Sequence, residues 1–191
     1  MKTSSLIFSL ILSSFVYSQS CPAVASYPFD GTAEDYSGNE YDGELVNDAD
    51  VSSGFIEIAY NDEDYMEIPN DVMDGIEDFT ISFDFRLNNF NLSGSFPTNT
   101  FIAGGSSTEE GEFAISYQKA DDAFVIALKG AGEFFAADIN EETWYCLIVK
   151  RDGALVSVYL DGEEIGTETF SVSPLNIVLL EIGQEIDCAS G

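Results

Sequence analysis

The chain is predicted to be all-β, an antiparallel two-sheet β-sandwich, on three observations. Strand-like runs recur with turn signals between them along the 191 residues. No long segment repeats its apolar residues at helical spacing. The stretch Thr143–Phe170 alternates at period two across two tight turns, Arg151-Asp152-Gly153 and Asp161-Gly162, and alternation around Asp-Gly is a strong hairpin signal. Within it Trp144, Cys146, Ile148 and Lys150 share one face. Tyr145, Leu147, Val149 and Arg151 share the other.

The remaining elements follow in chain order. Ser26–Phe29 opens the domain as a strand, and Gly43–Leu45 is a short second one. Phe55–Ala59 and Tyr65–Ile68 flank an acidic turn, Asn61-Asp62-Glu63-Asp64, whose carboxylates are expected to splay into solvent. Pro69–Ile76 has room for one helical turn. Phe79–Leu87 is the cleanest strand: Phe79, Ile81, Phe83, Phe85 and Leu87 face inward, and Thr80, Ser82, Asp84 and Arg86 outward. Asn88–Asn99 is polar, carries Gly94 and Pro97, and reads as a long loop. Phe101–Ala103 follows. Phe113–Tyr117 and Phe124–Leu128 form a hairpin over Ala120-Asp121-Asp122, and Phe134–Ala137 comes after a glycine-rich turn. Asn140–Thr143 is short enough for a second helical turn. After the three-stranded block, Asn176–Ile182 closes the chain.

The first residues read as a leader. Lys2 is a positive n-region, Leu6–Val16 an apolar run too short to span a bilayer, and Val16-Tyr17-Ser18 a small-residue cleavage site. Cleavage after residue 18 leaves 173 residues (191 − 18), enough for one core and one domain over 19–191. The expected location is secreted or at the cell surface.

Charge restricts the partners. Lys and Arg total 6, Asp and Glu 35, His none, for a net charge of −29. Such a field repels nucleic acid and anionic membranes. The absence of His removes Ser-His-Asp and Cys-His nucleophiles and ordinary zinc sites. Glu185-Ile186-Asp187 begins a paired-carboxylate pattern of the kind glycosidases use, but Cys188-Ala189-Ser190-Gly191 ends it without a second Glu. No catalytic residue is assigned.

Two binding chemistries stay open. Asp30, Asp35 and Asn39 supply oxygens in a loop bent by Gly31 and Gly38, which suits Ca²⁺ if backbone carbonyls complete the shell. The alternative is a loop in which the same side chains cap backbone N–H groups. Sugar binding calls for an exposed aromatic beside polar groups. Trp144 alternates with residues read as core, which leaves Tyr36, Tyr41, Phe90 and Phe96 as the loop candidates.

Five segments carry a family resemblance. Tyr27-Pro28-Phe29-Asp30-Gly31 with Asp35-Tyr36-Ser37-Gly38-Asn39, then Asp64–Pro69, Phe79–Arg86, Trp144–Gly153 and Leu180-Glu181-Ile182-Gly183 occur in the order seen in laminin-G-like, concanavalin-A-like jelly-roll domains of secreted bacterial proteins, which the chain resembles. Asp84 stands where a Trp is common. The resemblance implies a jelly roll, here short of the family's last strand or cut from a longer chain. It implies a non-catalytic binding module for a glycan or cell-surface protein, with a jelly-roll glycoside hydrolase or a piece of a larger surface protein as alternatives. It also implies a Cys146–Cys188 disulfide, leaving Cys21 for another partner or for lipidation.

Overall fold

The computed structural model describes residues 22–52, 54–59, 64–92, 97–107 and 110–184. Its strands are β1 Glu44–Val46, β2 Asp50–Ser52, β3 Phe55–Glu57, β4 Tyr65–Glu67, β5 Phe79–Phe85, β6 Asn99–Ser107 and β7 Glu110–Gln118. They continue with β8 Ala123–Leu128, β9 Ala131–Ala136, β10 Tyr145–Asp152, β11 Leu155–Leu160, β12 Glu163–Thr169 and β13 Leu179–Ile182. Single 3-10 turns occupy Asn70–Val72 and Lys119–Asp121. The predicted antiparallel sandwich is what forms. A seven-stranded sheet in the order β1-β4-β13-β6-β7-β8-β9 faces a four-stranded sheet, β12-β11-β10-β5, and β2-β3 is a separate hairpin.

Period-two alternation becomes a core between the two sheets. Phe79 and Phe85 on β5, Leu147 and Val149 on β10, and Val156 and Val158 on β11 are buried from one side. Met66, Phe113, Ile115, Tyr117, Phe124, Ile126, Phe135 and Leu180 are buried from the other. Aromatic rings bridge the layers, with Phe85 4.7 Å from Phe101 and 5.8 Å edge-on from Phe124, and Phe79 5.5 Å edge-on from Phe113. Offset and edge-on pairs of this kind add to simple area burial.

Arg151 closes one end of the core. It lies on the inward face of β10 and is only 2% exposed. Its Nε donates to Gly153 O at 3.1 Å, and one terminal nitrogen donates to Ser171 O and Ser173 O at 3.2 Å each. The guanidinium therefore ties the 171–173 segment to the β10–β11 turn through charge-assisted bonds.

The turns show how far local sequence reaches. Asp161 and Gly162 take φ of 51° and 83°, both positive, as a two-residue type I′ hairpin requires. The other turn is tighter than its sequence suggests: Asp152 pairs with Leu155, so the loop is Gly153-Ala154. Ser26–Phe29 is not a strand. Phe29 has a left-handed φ of 53°, which breaks an extended run, although Tyr27 and Phe29 still pack on the core. Asn140–Thr143 is a turn rather than a helical segment. Strand β2 was not anticipated, because Asp50-Val51-Ser52 is too short to display a period.

Candidate functional site

The N-terminal loop is held by its own side chains. Asp35 Oδ1 accepts from Ser26 N and Ser37 N, both at 2.8 Å. Its Oδ2 accepts from Ser37 Oγ at 2.7 Å and Tyr41 N at 3.2 Å. Burial pushes this carboxyl upward, but the hydrogen bonds from Ser37, Ser26 and Tyr41 outweigh it and hold the pKa at about 2. Asn39 Nδ2 donates to Val24 O at 2.9 Å, and Tyr36 Oη donates to Asp30 at 3.2 Å. The structure thus brings Asp35 and Asn39 to the same loop as backbone caps. Asp30 is engaged separately, by Tyr36.

A Ca²⁺ ion at this loop would compete with four N–H and O–H donors for the two oxygens of Asp35. Among the described residues no group of three or more Asp, Glu or Cys side chains is placed to hold a metal. Asp35→Ala is expected to lower the unfolding free energy by about 2 kcal/mol, from the loss of hydrogen bonds to a charged acceptor. The loss should be the same in Ca²⁺ and in EDTA. Because the folded pKa is depressed below 3.8, the Asp35 contribution is full above that value and disappears as pH falls through about 2. Urea titrations of both proteins between pH 2 and 7 check this.

The acidic turn differs from expectation at the one residue of it that is described. Asp64 is buried, and its carboxylate accepts from Asp48 N at 2.9 Å and Ala59 N at 3.2 Å, tying the turn between β1 and β2 to the segment after β3 rather than splaying outward. Asn61–Glu63 lie outside the described residues, as do Cys21, Cys188, Phe96, residues 1–20 with the expected leader, and the Glu185-Ile186-Asp187 pattern.

Of the loop aromatics, Phe90 packs on Tyr117 with ring centres 5.7 Å apart, under Lys119 Nζ at 4.9 Å. Tyr41 is half-buried. Tyr36 is exposed, with its hydroxyl on Asp30. The aromatic of interest is Trp144. It immediately precedes β10 on the outward face and is 51% exposed. That face is wet: Lys150, on the same parity, is exposed, as are Thr80, Ser82 and Asp84 on the adjoining β5 and Arg86 just after it.

Trp144 is held without being covered. The Arg86 guanidinium lies 5.5 Å from its ring centre, and Phe55 of β3 meets it edge-on at 6.2 Å. Beside it is a depression of about 260 Å³ lined by Asp84, Trp144, Tyr145, Cys146 and Asp161. Cys146 pairs across strands with Asp84. It is tied on its other side to the turn, where Cys146 N donates to Asp161 Oδ1 at 2.8 Å and Asp161 N donates to Cys146 O at 2.9 Å. The hairpin turn therefore fixes one carboxylate and β5 the other, both beside the indole. Burial pushes the Cys146 thiol up, and the neighbouring Asp84 carboxylate adds to the shift, which leaves the thiol un-ionised and a poor nucleophile at neutral pH.

With this geometry in place, comparison with known proteins gives the family. The family model described as the concanavalin A-like lectin/glucanases superfamily matches residues 61–186, about two thirds of the chain. The chain belongs to this superfamily. Among solved structures, it is similar to domain 4 of AbnA, a GH43 extracellular arabinanase from Geobacillus stearothermophilus, solved in complex with arabinotriose. That match has 20% identity and a TM-score of 0.60, and covers 85% of this chain and 83% of the other. It is also similar to the receptor binding domain of botulinum neurotoxin type G, at 16% identity and a TM-score of 0.58, over 84% of this chain and 42% of the other. At these identities the likeness is one of fold. No curated protein matches the chain.

A second locus lies on the outward face of the larger sheet. Register places Glu44 opposite Glu67, and Glu67 opposite Glu181, on three adjacent strands. Glu181 is 8% exposed and faces no cation among the described residues. Its pKa is raised, by burial first and by Glu67 second. A carboxyl with a raised folded pKa binds its proton more tightly folded than unfolded. Stability is therefore highest below the unfolded value and falls as pH rises through the folded one. Glu181→Gln is expected to stabilise the protein at pH 7.5 by about 0.5–1 kcal/mol, the scale of a like-charge cross-strand pair. It should also flatten the fall in stability as pH rises above the ordinary carboxylate range. Thermal unfolding from that range up to pH 7.5 is the measurement.

Proposed function

We propose that this protein is an exported, non-catalytic carbohydrate-binding module, and that its sugar stacks at Trp144. The observation that carries the reading is a half-exposed indole on an outward sheet face with Asp84 and Asp161 beside it. A sugar ring presents an apolar C–H face to an aromatic ring, and hydroxyls at its rim to carboxylate oxygens. The depression of about 260 Å³ holds one ring. With about 12 non-hydrogen atoms at about 0.3 kcal/mol each, one ring gives roughly millimolar affinity. Useful retention then comes from repeated sites on a polymer. The superfamily assignment supports the reading, as does the basic-then-apolar leader pattern at Lys2 and Leu6–Val16.

The test is retardation of the purified chain in native gels containing soluble polysaccharides. Arabinan is included because the AbnA domain was solved with arabinotriose. Retardation that disappears in Trp144→Ala supports the proposal; wild-type mobility in every polysaccharide gel removes it.

Hydrolysis has one observation in its favour, the Glu67–Glu181 carboxylate pair, in which burial and the neighbouring Glu67 raise the Glu181 pKa. A carboxyl whose pKa is raised is suited to act as a general acid. Release of reducing sugar from the same polymers, lost in Glu181→Gln, would establish that reading over the binding one.

A further inference from the structure

This inference rests on the reading of Trp144 as a sugar platform and names the chemical class of the sugar. We infer that the site takes an uncharged, hydroxyl-presenting saccharide and rejects glycans built on carboxylate or sulfate groups. The argument starts from the cations. The chain has six, and Lys2 lies outside the described residues. Each of the other five is engaged internally. Lys119 bridges Asp122 at 2.6 Å and Asp138 at 3.1 Å; Lys129 meets Glu112 at 3.1 Å; Lys150 meets Asp152 at 3.4 Å. Arg151 is buried on backbone carbonyls. Arg86 lies over Trp144.

Acidic glycans are gripped by ammonium and guanidinium groups, most strongly by the planar fork of arginine. For Lys119, Lys129, Lys150 and Arg151 such a grip would have to break an existing contact; Arg86 keeps its N–H groups in stacking on the indole, but its single charge stands against the two carboxylates, Asp84 and Asp161, that line the depression. The loosest cation, Lys150, is six residues along an extended strand from Trp144, about 20 Å away. The charged side chains that line the depression, Asp84 and Asp161, are acceptors. Ionised carboxylates only accept hydrogen bonds, so Asp84 and the free oxygen of Asp161 require a ligand that donates. Sugar hydroxyls do so. The remaining charge has the same sign, since the whole chain carries −29, and an approaching polyanion meets repulsion from every side within a Debye length.

An ammonium sugar also donates, but Arg86 already places a positive charge 5.5 Å from the indole centre. A second cation stacked on that ring would face repulsion where a neutral ring faces none. The neutral saccharide is therefore the occupant that satisfies both the carboxylates and the guanidinium.

The experiment is affinity electrophoresis of the full chain and of Trp144→Ala in 150 mM NaCl. The gels contain arabinan, galactomannan or mixed-linkage glucan as neutral polymers, polygalacturonate or heparin as acidic ones, and glycol chitosan as the cationic one. Circular dichroism and melting confirm the fold of the variant, and Trp144→Tyr serves as a second, milder change. Expected are retardation by at least one neutral polymer, at least tenfold weaker in Trp144→Ala and partly kept in Trp144→Tyr, and no retardation by either acidic polymer. Trp144-dependent retardation by polygalacturonate or heparin overturns the inference and leaves the glycan reading standing. So does Trp144-dependent retardation by glycol chitosan alone. Retardation by no polymer overturns the glycan reading and the inference together.

Discussion

Trp144→Ala is expected to abolish retention on polysaccharide while leaving the melting temperature almost unchanged. The indole is half exposed and outside the core, held by Arg86 and the edge of Phe55. Surface substitutions of that kind usually fall within about 0.5 kcal/mol of neutral. Binding is a different matter, because the indole supplies most of the apolar area available to a sugar ring. Losing it removes roughly 1.5–3 kcal/mol of burial, which is about tenfold or more in affinity. Trp144→Tyr keeps a smaller platform and should retain part of the binding. A fall in stability as large as the fall in retention would assign Trp144 a structural role instead.

Gly183→Ala is expected to act on the fold alone, lowering the unfolding free energy by about 3 kcal/mol. Gly183 has φ of 97°, a conformation that L side chains rarely adopt. A Cβ built there collides with the Ile58 side chain, whose Cγ2 is 2.9 Å away. Overpacking costs about 1–3 kcal/mol, and the backbone conformation adds about 1 kcal/mol more. Ile58→Ala relieves the collision but not the backbone strain, so the double variant should recover part of the loss relative to the sum of the two single ones. Denaturant midpoints for the four proteins measure the recovery. Sugar binding by Gly183→Ala under native conditions should be unaffected, since Gly183 is no part of the Trp144 depression.

Much of the sandwich is legible from residue order. Phe79, Ile81, Phe83 and Phe85 alternate with Thr80, Ser82 and Asp84 in the sequence, and the same split decides which side of β5 is buried or packed on the core. The Asp161-Gly162 turn is equally direct, because two positive φ values are inexpensive for this pair. Phe29 shows where local pattern fails: Ser26–Phe29 has strand composition, yet Asp35, nine residues on from Ser26, accepts the Ser26 N–H and draws the segment into a capped loop. The sandwich interior reads well because period two acts between neighbours. Capped loops read poorly because their hydrogen bonds join residues that no short window contains.

The candidate site divides along the same line. Sequence determined that Trp144 shares a face with Cys146, Ile148 and Lys150, but Cys146 and Ile148 make that face read as core, and it is the fold that shows the indole half exposed. Sequence did not place Asp84 of β5, or Arg86 just beyond it, beside the indole; the antiparallel register of β5 against β10 does that, across about sixty residues of chain. Likewise Glu44, Glu67 and Glu181 are scattered in sequence and become a row only when β1, β4 and β13 are neighbours. The number of cations was legible from the start, but their engagement was not, because an ion pair depends on which surfaces the fold brings within 4 Å. Local backbone preference and alternation determine strands and turns by themselves. Strand order and sheet packing decide which side chains meet, so the chemistry of the site belongs to the tertiary structure.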